Sequence, residues 1–314
     1  MLPPGALAAR TPNAARIVAV GDVMADVVVR LAAPVAPASD TPAAISLFPG
    51  GSAANTAVWL AAAGAEVTLV AAVGNDLLGD AATRALSGGG VTPHLSRVPG
   101  VSTGVVVAIV TRSGERSMLT DRGANRLLSP DHLPVALFAP GAHLHLSAYV
   151  IYDERTRPTA ERALALAAAA EMTVSLDPCS ASPLAAFGAA AFCAATRTAT
   201  WCCANSDEAA VLTAQSDPAA AAAALSEVYP EVTVSAGADG VYVATTGRVR
   251  HVPAATTEVA DTTGAGDAFT GTYLARRLAG EGPEDAAAAA VAVAARVVAA
   301  PGARPPGALA YSRL

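Results

Sequence analysis

Short apolar runs that end near glycine and alternate with helix-forming stretches constrain this chain more than any other feature. Ile17–Gly21 (IVAVG) reads as a strand buried on both faces, since no polar residue interrupts it to meet water. Gly50-Gly51-Ser52 opens a helix-forming stretch over Ala53–Ala63, and Val67–Val73 reads as the next strand. Strand, helix and strand in that order pair in parallel, with the helix crossing one face of the sheet.

The alternation resumes further on. Strands are expected at His143–Leu146, Thr173–Leu176, Thr200–Ala204 and Val232–Ser235, with helices at Pro158–Ala170 and Asp207–Thr213. Tyr242–Ala244 and Val249–Val252 read as an edge hairpin, followed by two long helices over Gly264–Leu278 and Pro283–Ala300. The fold class that follows is α/β, a doubly wound and mostly parallel sheet flanked by helices. Two strand pairs have no helix between them: Val27–Leu31 with Ile45–Phe48, and Thr103–Thr111 with Arg116–Asp121 around the turn Arg112–Glu115. They read as a small β-sheet lid able to close over a substrate. The expected organisation is a loose leader over 1–16 and one domain over 17–314, whose lid is formed by about 27–49 and 101–122.

Composition narrows the function. Apolar residues reach 53%, much of it alanine, and aromatics only 4%, so helices pack closely through small side chains. A net charge of −6 without any long Lys/Arg run argues against a nucleic-acid partner. Ala286–Ala300 contains Arg296 and stops at Pro301, which fits a buried helix and no membrane span. The first fifteen residues carry three prolines and no continuous apolar core, unlike a signal peptide. Cys179, Cys193, Cys202 and Cys203 lack C-x-x-C spacing and histidine neighbours, so they read as buried thiols in a reducing cytoplasm, with Cys202 and Cys203 on opposite faces of a strand.

The chemistry is written most densely in Asp261-Thr262-Thr263-Gly264-Ala265-Gly266-Asp267, immediately before a helix-forming run. The glycines let backbone approach an anion, and the N–H groups of Gly264, Ala265, Gly266 and Asp267 lie at the positive end of the helix dipole. Phosphate would repel a carboxylate there, so Asp267 is explained best as the group that takes a proton from a substrate hydroxyl. The plainer alternative is a helix cap.

Asp261–Gly271 (DTTGAGDAFTG) resembles the C-terminal motif of the ribokinase-like, or PfkB, carbohydrate kinase family, and Phe48–Asp80 is similar to its other motif. The resemblance runs from about Ile17 to Gly302 and implies an ATP-dependent kinase that phosphorylates a primary hydroxyl of a sugar. It implies that Asp26 accepts vicinal hydroxyls, that Gly50 and Gly51 form a hinge and a backbone substrate contact, and that Asn55 holds sugar hydroxyls. Asn205 and Glu208 match its N-x-x-E element, which positions Mg2+ largely through water; as residues alone they equally make a helix-capping pair. Ser235, Gly237 and Gly240 match a turn near the nucleotide phosphates. Asp261 and Thr263, with carbonyls around Ala300–Gly302, match a site for a monovalent cation such as K+. Lid sheets of the family often pair into homodimers.

Departures bear on the substrate. Ser52 and Met24 stand where ribokinases usually carry lysine and asparagine, and Asp177-Pro178-Cys179-Ser180-Ala181 replaces the D-x-N-x-R of fructokinase-like and ketodeoxygluconate kinase-like members. Gly51-Ser52 with Asn55 is similar to nucleoside kinases of the family, whose base would meet Met24, Ile45, Met118, Val105 or Val107. A non-catalytic sugar or nucleotide sensor is the rival from another class. A dehydrogenase lacks its G-x-G-x-x-G after Val18–Val20.

Overall fold

The computed structural model describes residues 14–113, 116–300 and 302–305. The expected leader up to residue 13, part of the Arg112–Glu115 turn and Pro301 lie outside the described residues. Strand β1 (Arg16–Val20) leads into β2 (Met24–Leu31) and β3 (Ala43–Gly50). Helix α1 (Ser52–Ala62), β4 (Glu66–Gly74), α2 (Leu77–Gly88) and β5 (Thr92–Val98) follow, then β6 (Gly104–Val110) and β7 (Arg116–Asp121). Next come β8 (Ala142–Ser147), the short α3 (Tyr149–Tyr152), α4 (Arg157–Ala169), β9 (Thr173–Asp177), α5 (Ala181–Phe187) and α6 (Ala189–Thr196). The chain continues with β10 (Trp201–Asn205), α7 (Ser206–Thr213), α8 (Pro218–Leu225), β11 (Glu231–Ser235), β12 (Val241–Thr245), β13 (Arg248–Val252), α9 (Ala265–Leu278) and α10 (Pro283–Val298).

These elements form a nine-stranded sheet in the order β13-β12-β11-β10-β9-β8-β1-β4-β5, and a four-stranded sheet in the order β3-β2-β6-β7. In the large sheet only the β11-β12-β13 edge is antiparallel, matching the expected hairpin. Alternating side chains divide the core. Val18 and Val20 of β1 face the layer of α4 and α8, while Ile17 and Ala19 face the layer of α1, α9 and α10. Cys202 and Cys203 divide the same way, as the period of two requires. Alanine and glycine set the helix spacing: a Cβ on Gly271 of α9 would lie 2.7 Å from Trp59 Cβ of α1.

The small sheet is the lid, and its centre is the parallel pair β2-β6. Ala25, Leu47 and Val105 on one face pack against Ala81 and Ala85 of α2. Met24, Asp26, Val106, Met118 and Thr120 on the other face look into a cleft. The chain crossings between the sheets are tied together by Asn125, whose amide donates to Val23 O and accepts from Val23 N, both at 2.9 Å.

Four sequence readings need correction. Arg16, placed in the expected leader, already belongs to β1. Helix α2 and strand β5 had no predicted counterpart. The alanine-rich α10 is amphipathic, burying Ala286, Ala287, Ala290 and Val297 on one side only. Cys179 and Cys193 are half-buried, since both sit outside the central strands.

Candidate active site

The strand ends of a doubly wound sheet leave a crevice at their carboxyl side. Here that crevice has a volume of about 470 Å³, with Asp22 beyond β1, Asp177 closing β9, Asn205 closing β10 and Ser235 closing β11 along its floor. The lid forms one wall and the start of α9 another.

Gly264 caps α9 in the left-handed region at φ 74°, and a Cβ there would lie 2.3 Å from Ala303 Cβ. Both the turn and the contact therefore require glycine. In the first turn of α9, Gly266 and Asp267 reach the cleft wall, whereas Gly264 and Ala265 shape the turn behind them. The Asp267 carboxylate accepts from Ser52 Oγ and from Asn55 Nδ2, each at 3.0 Å. Burial, reinforced by the charge of Asp177, pushes the Asp267 carboxyl up to about 7 despite those two donors. Asp177, which accepts from Cys179 N at 2.8 Å, is raised as well by burial and by Glu208 nearby.

On the lid side, Asp26 occupies the space where a Gly50 side chain would sit, 2.3 Å from the position of its Cβ. Gly51 adopts φ 95° against the Asp22 carbonyl and begins α1. Thus the diglycine joins lid to body with Asp26 on one side and Ser52 and Asn55 on the other. Asp22, beyond the end of β1, is buried: it is 2% exposed, accepts from Ala53 N at 3.2 Å and faces Arg122 at 3.6 Å. The Arg122 guanidinium lies over the Tyr149 ring, 3.9 Å from its centroid.

Asn205 and Glu208 form a complete capping box on α7, with Asn205 N and Nδ2 donating to Glu208 and Glu208 N donating back at 2.9 Å. The capping reading is thus correct, and the same carboxylate also lines the cleft. Burial raises the proton affinity of Glu208 in spite of the Asn205 donors. A hydrated divalent cation suits this crowd of buried oxygens, because it would relieve the repulsion among Glu208, Asp177 and Asp267. Ser235 reaches the cleft, but Gly240 does not line it. A Cβ on Gly240 would lie 2.2 Å from the Val252 carbonyl, so packing of the β12-β13 edge accounts for that glycine. Gly237, at φ 56°, serves the same turn. Asp261 Oδ1 accepts from Thr263 N and Oγ1, at 3.0 and 2.6 Å, stiffening the loop before α9 away from the cleft floor.

Residues 14–308 match the model of the pfkB family carbohydrate kinases. The chain belongs to the PfkB family of carbohydrate kinases. It is an ATP-binding phosphotransferase with an alcohol group as acceptor. A fructokinase of Klebsiella pneumoniae is 30% identical over 256 residues, covering 77% of this chain and 81% of the relative. The crystal structure of an adenosine kinase from Sinorhizobium meliloti superposes with a TM-score of 0.84 at 23% identity, covering 93% of this chain and 96% of that one. A Vibrio cholerae fructokinase, solved with fructose, ADP and calcium ion bound, gives 0.79 at 25% identity over 93% and 95% of the two chains.

Several cleft residues of this PfkB kinase escaped the sequence reading. Asp177 carried the signal of a carboxylate at the carboxyl end of a buried strand, and Thr270, which faces it at 3.5 Å, lies one helical turn beyond Asp267. Arg122 and Tyr149 carried no signal, because their stacking joins the lid exit to α3 across the fold.

Proposed function

We propose that this kinase transfers the γ-phosphoryl group of ATP to a primary hydroxyl of a sugar, with Asp267 accepting the hydroxyl proton. One observation carries the reading: Asp267, at the head of α9, shares a cleft with Asp26 of the lid and Glu208 of the phosphate side. A carboxylate raised to about 7 is half ionised at neutral pH and returns its proton readily, which suits a general base. The backbone N–H groups of Gly264, Ala265 and Gly266 offer positive potential to the transferring group. Asp26, Gly50, Gly51 and Asn55 bind and orient the acceptor, while Ser235 borders the nucleotide.

Glu208 and Asn205 would hold Mg2+, mainly through its waters; when bound, the ion neutralises phosphate charge. A monovalent cation such as K+ near Asp261 and Thr263 would stiffen the anion loop. Among the described residues no helix is long and apolar enough to cross a membrane. The lid register puts Val27, Val29, Ile45, Val107 and Leu119 on one face, with Ile45 66% and Leu119 60% exposed. That face suits a homodimer, which sedimentation velocity reads directly: a monomer at micromolar concentration excludes it.

A nucleoside is the second reading. Met24 and Met118 of the expected set, with Val106 in place of Ile45, Val105 and Val107, which lie on the opposite face of the lid, give the lid side an apolar surface beside Tyr149 and Arg122, suited to a flat base. A panel of pentoses, hexoses and nucleosides with ATP·Mg2+, run in K+ and in Na+ and read by ADP release, separates the readings. Turnover with a sugar and not with nucleosides supports the first; the reverse supports the second, and no turnover with any acceptor contradicts both.

A further inference from the structure

The last described turn, residues 302–305, packs into the site. Trp59 of α1 donates its indole N–H to the Ala303 carbonyl at 2.9 Å, and Ala303 fills the space in front of Gly264. Arg304 is thereby aimed at the start of α1. Its Nε donates to Asn55 Oδ1 at 3.0 Å, and its Nη2 donates to the Gly50 carbonyl at 3.4 Å. Asn55 is 4% exposed, and with its oxygen held by a cation its amide nitrogen points to Asp267 Oδ2 at 3.0 Å.

An amide is nearly symmetric in shape, so packing alone does not choose which end faces a neighbour. Were the Asn55 oxygen turned to Asp267, two acceptors would meet in a site of low dielectric. A guanidinium donates only, and so it admits one of the two orientations. We propose that Arg304 is a positioning residue for phosphoryl transfer: it fixes the Asn55 amide, and through it the Asp267 carboxylate, and ties both to the turn that abuts the anion loop.

The surroundings of Asp267 make that amide count. Ser52 and Asn55 of α1 donate to it, while Asp177 and Cys179 at the end of β9, Glu208 of α7 and Asp22, paired with Arg122, face it from the other walls. Asn55 is thus one of two donors opposing burial and like charge. Loss of its donation raises the affinity of Asp267 for a proton.

The clamp rests on the kinase reading only for its catalytic consequence, so the test includes a readout that needs no turnover. Carboxyl 13C titrations of the whole protein follow Asp267, its signal assigned by its absence in Asp267→Asn. In Arg304→Met the Asp267 midpoint rises by about one pH unit. Arg304→Gln and Arg304→Lys, which keep a donor for Asn55 Oδ1, return it most of the way. With an accepted substrate, kcat of Arg304→Met falls roughly 10-fold or more while the ATP KM holds, and the two donor variants recover. An unmoved midpoint in a folded Arg304→Met overturns the clamp, and a fall in kcat without that movement makes Arg304 a brace of the C-terminal turn. If wild-type protein releases no ADP while the midpoint still moves, the kinase reading fails and the clamp stands.

Discussion

Asp267 is held in a state that costs stability. Its folded carboxyl titrates near 7, above the ordinary value of 3.8 that the unfolded chain has, so its contribution to stability is complete below about pH 4 and is lost as pH rises through 7. Replacing it with asparagine removes an ionisation the fold resists. Asp267→Asn is therefore expected to melt higher than wild type at pH 8 and to lose that advantage at pH 4; equal melting curves at pH 8 would count against a buried, raised carboxylate. With Asp267 as the proposed base, the same titration predicts that kcat/KM of the wild type declines below about pH 7. At this scale the sequence was most legible where one residue type alone fits. Gly264 and Gly51 require positive φ and contact, and Asp267, read at the head of a helix-forming run, lies in the first turn of α9 and lines the cleft. Arg304 was illegible, because its role depends on where the chain returns after α10.

The contact between α1 and α9 decides how Asn55 and Asp267 face each other. Gly271 sets its closeness, with the Thr56 carbonyl 2.8 Å and Trp59 Cβ 2.7 Å from where a Cβ would stand. Both obstacles are rigid, so Gly271→Ala must separate the helices. We expect a loss of roughly 1–3 kcal/mol in urea unfolding, with a fall in kcat larger than any change in the ATP KM. Unchanged stability would mean that the helices shift freely. Farther along α9, Arg277 makes two 2.7 Å hydrogen bonds to Glu231 at the foot of β11, and Tyr273 joins the same carboxylate, so the helix is fixed to the sheet at its other end. The central strands and long helices were legible from their apolar runs and breaks. Strand β5 was not: Thr92–Val98 is an edge strand containing Pro93, half-exposed along its length. Helix α2 hid for a related reason, because its first residue Leu77 is 84% exposed and its buried side is built from Gly79, Ala81, Ala82, Ala85 and Leu86.

At the scale of the molecule, the nine-stranded and four-stranded sheets together make one cleft. The body supplies Asp177, Glu208 and Asp267, and the lid supplies Asp26 and its apolar neighbours. Their meeting depends on the crossings at Gly50-Gly51, between β3 and α1, and at Val23, which Asn125 holds just before β2. The unpaired rhythm of the lid strands disclosed its existence, though the parallel β2-β6 pairing at its centre arises only in three dimensions. Residues of both sheets share the cleft with one carboxylate at the head of α9. Turnover of purified Asp267→Asn, measured as ADP release with the acceptor that wild type accepts best, tests the proposed base most directly. The arrangement predicts an intact fold and ATP affinity with kcat lowered on the order of 10²–10⁴; a kcat within about twofold of wild type, well short of that loss, would contradict it.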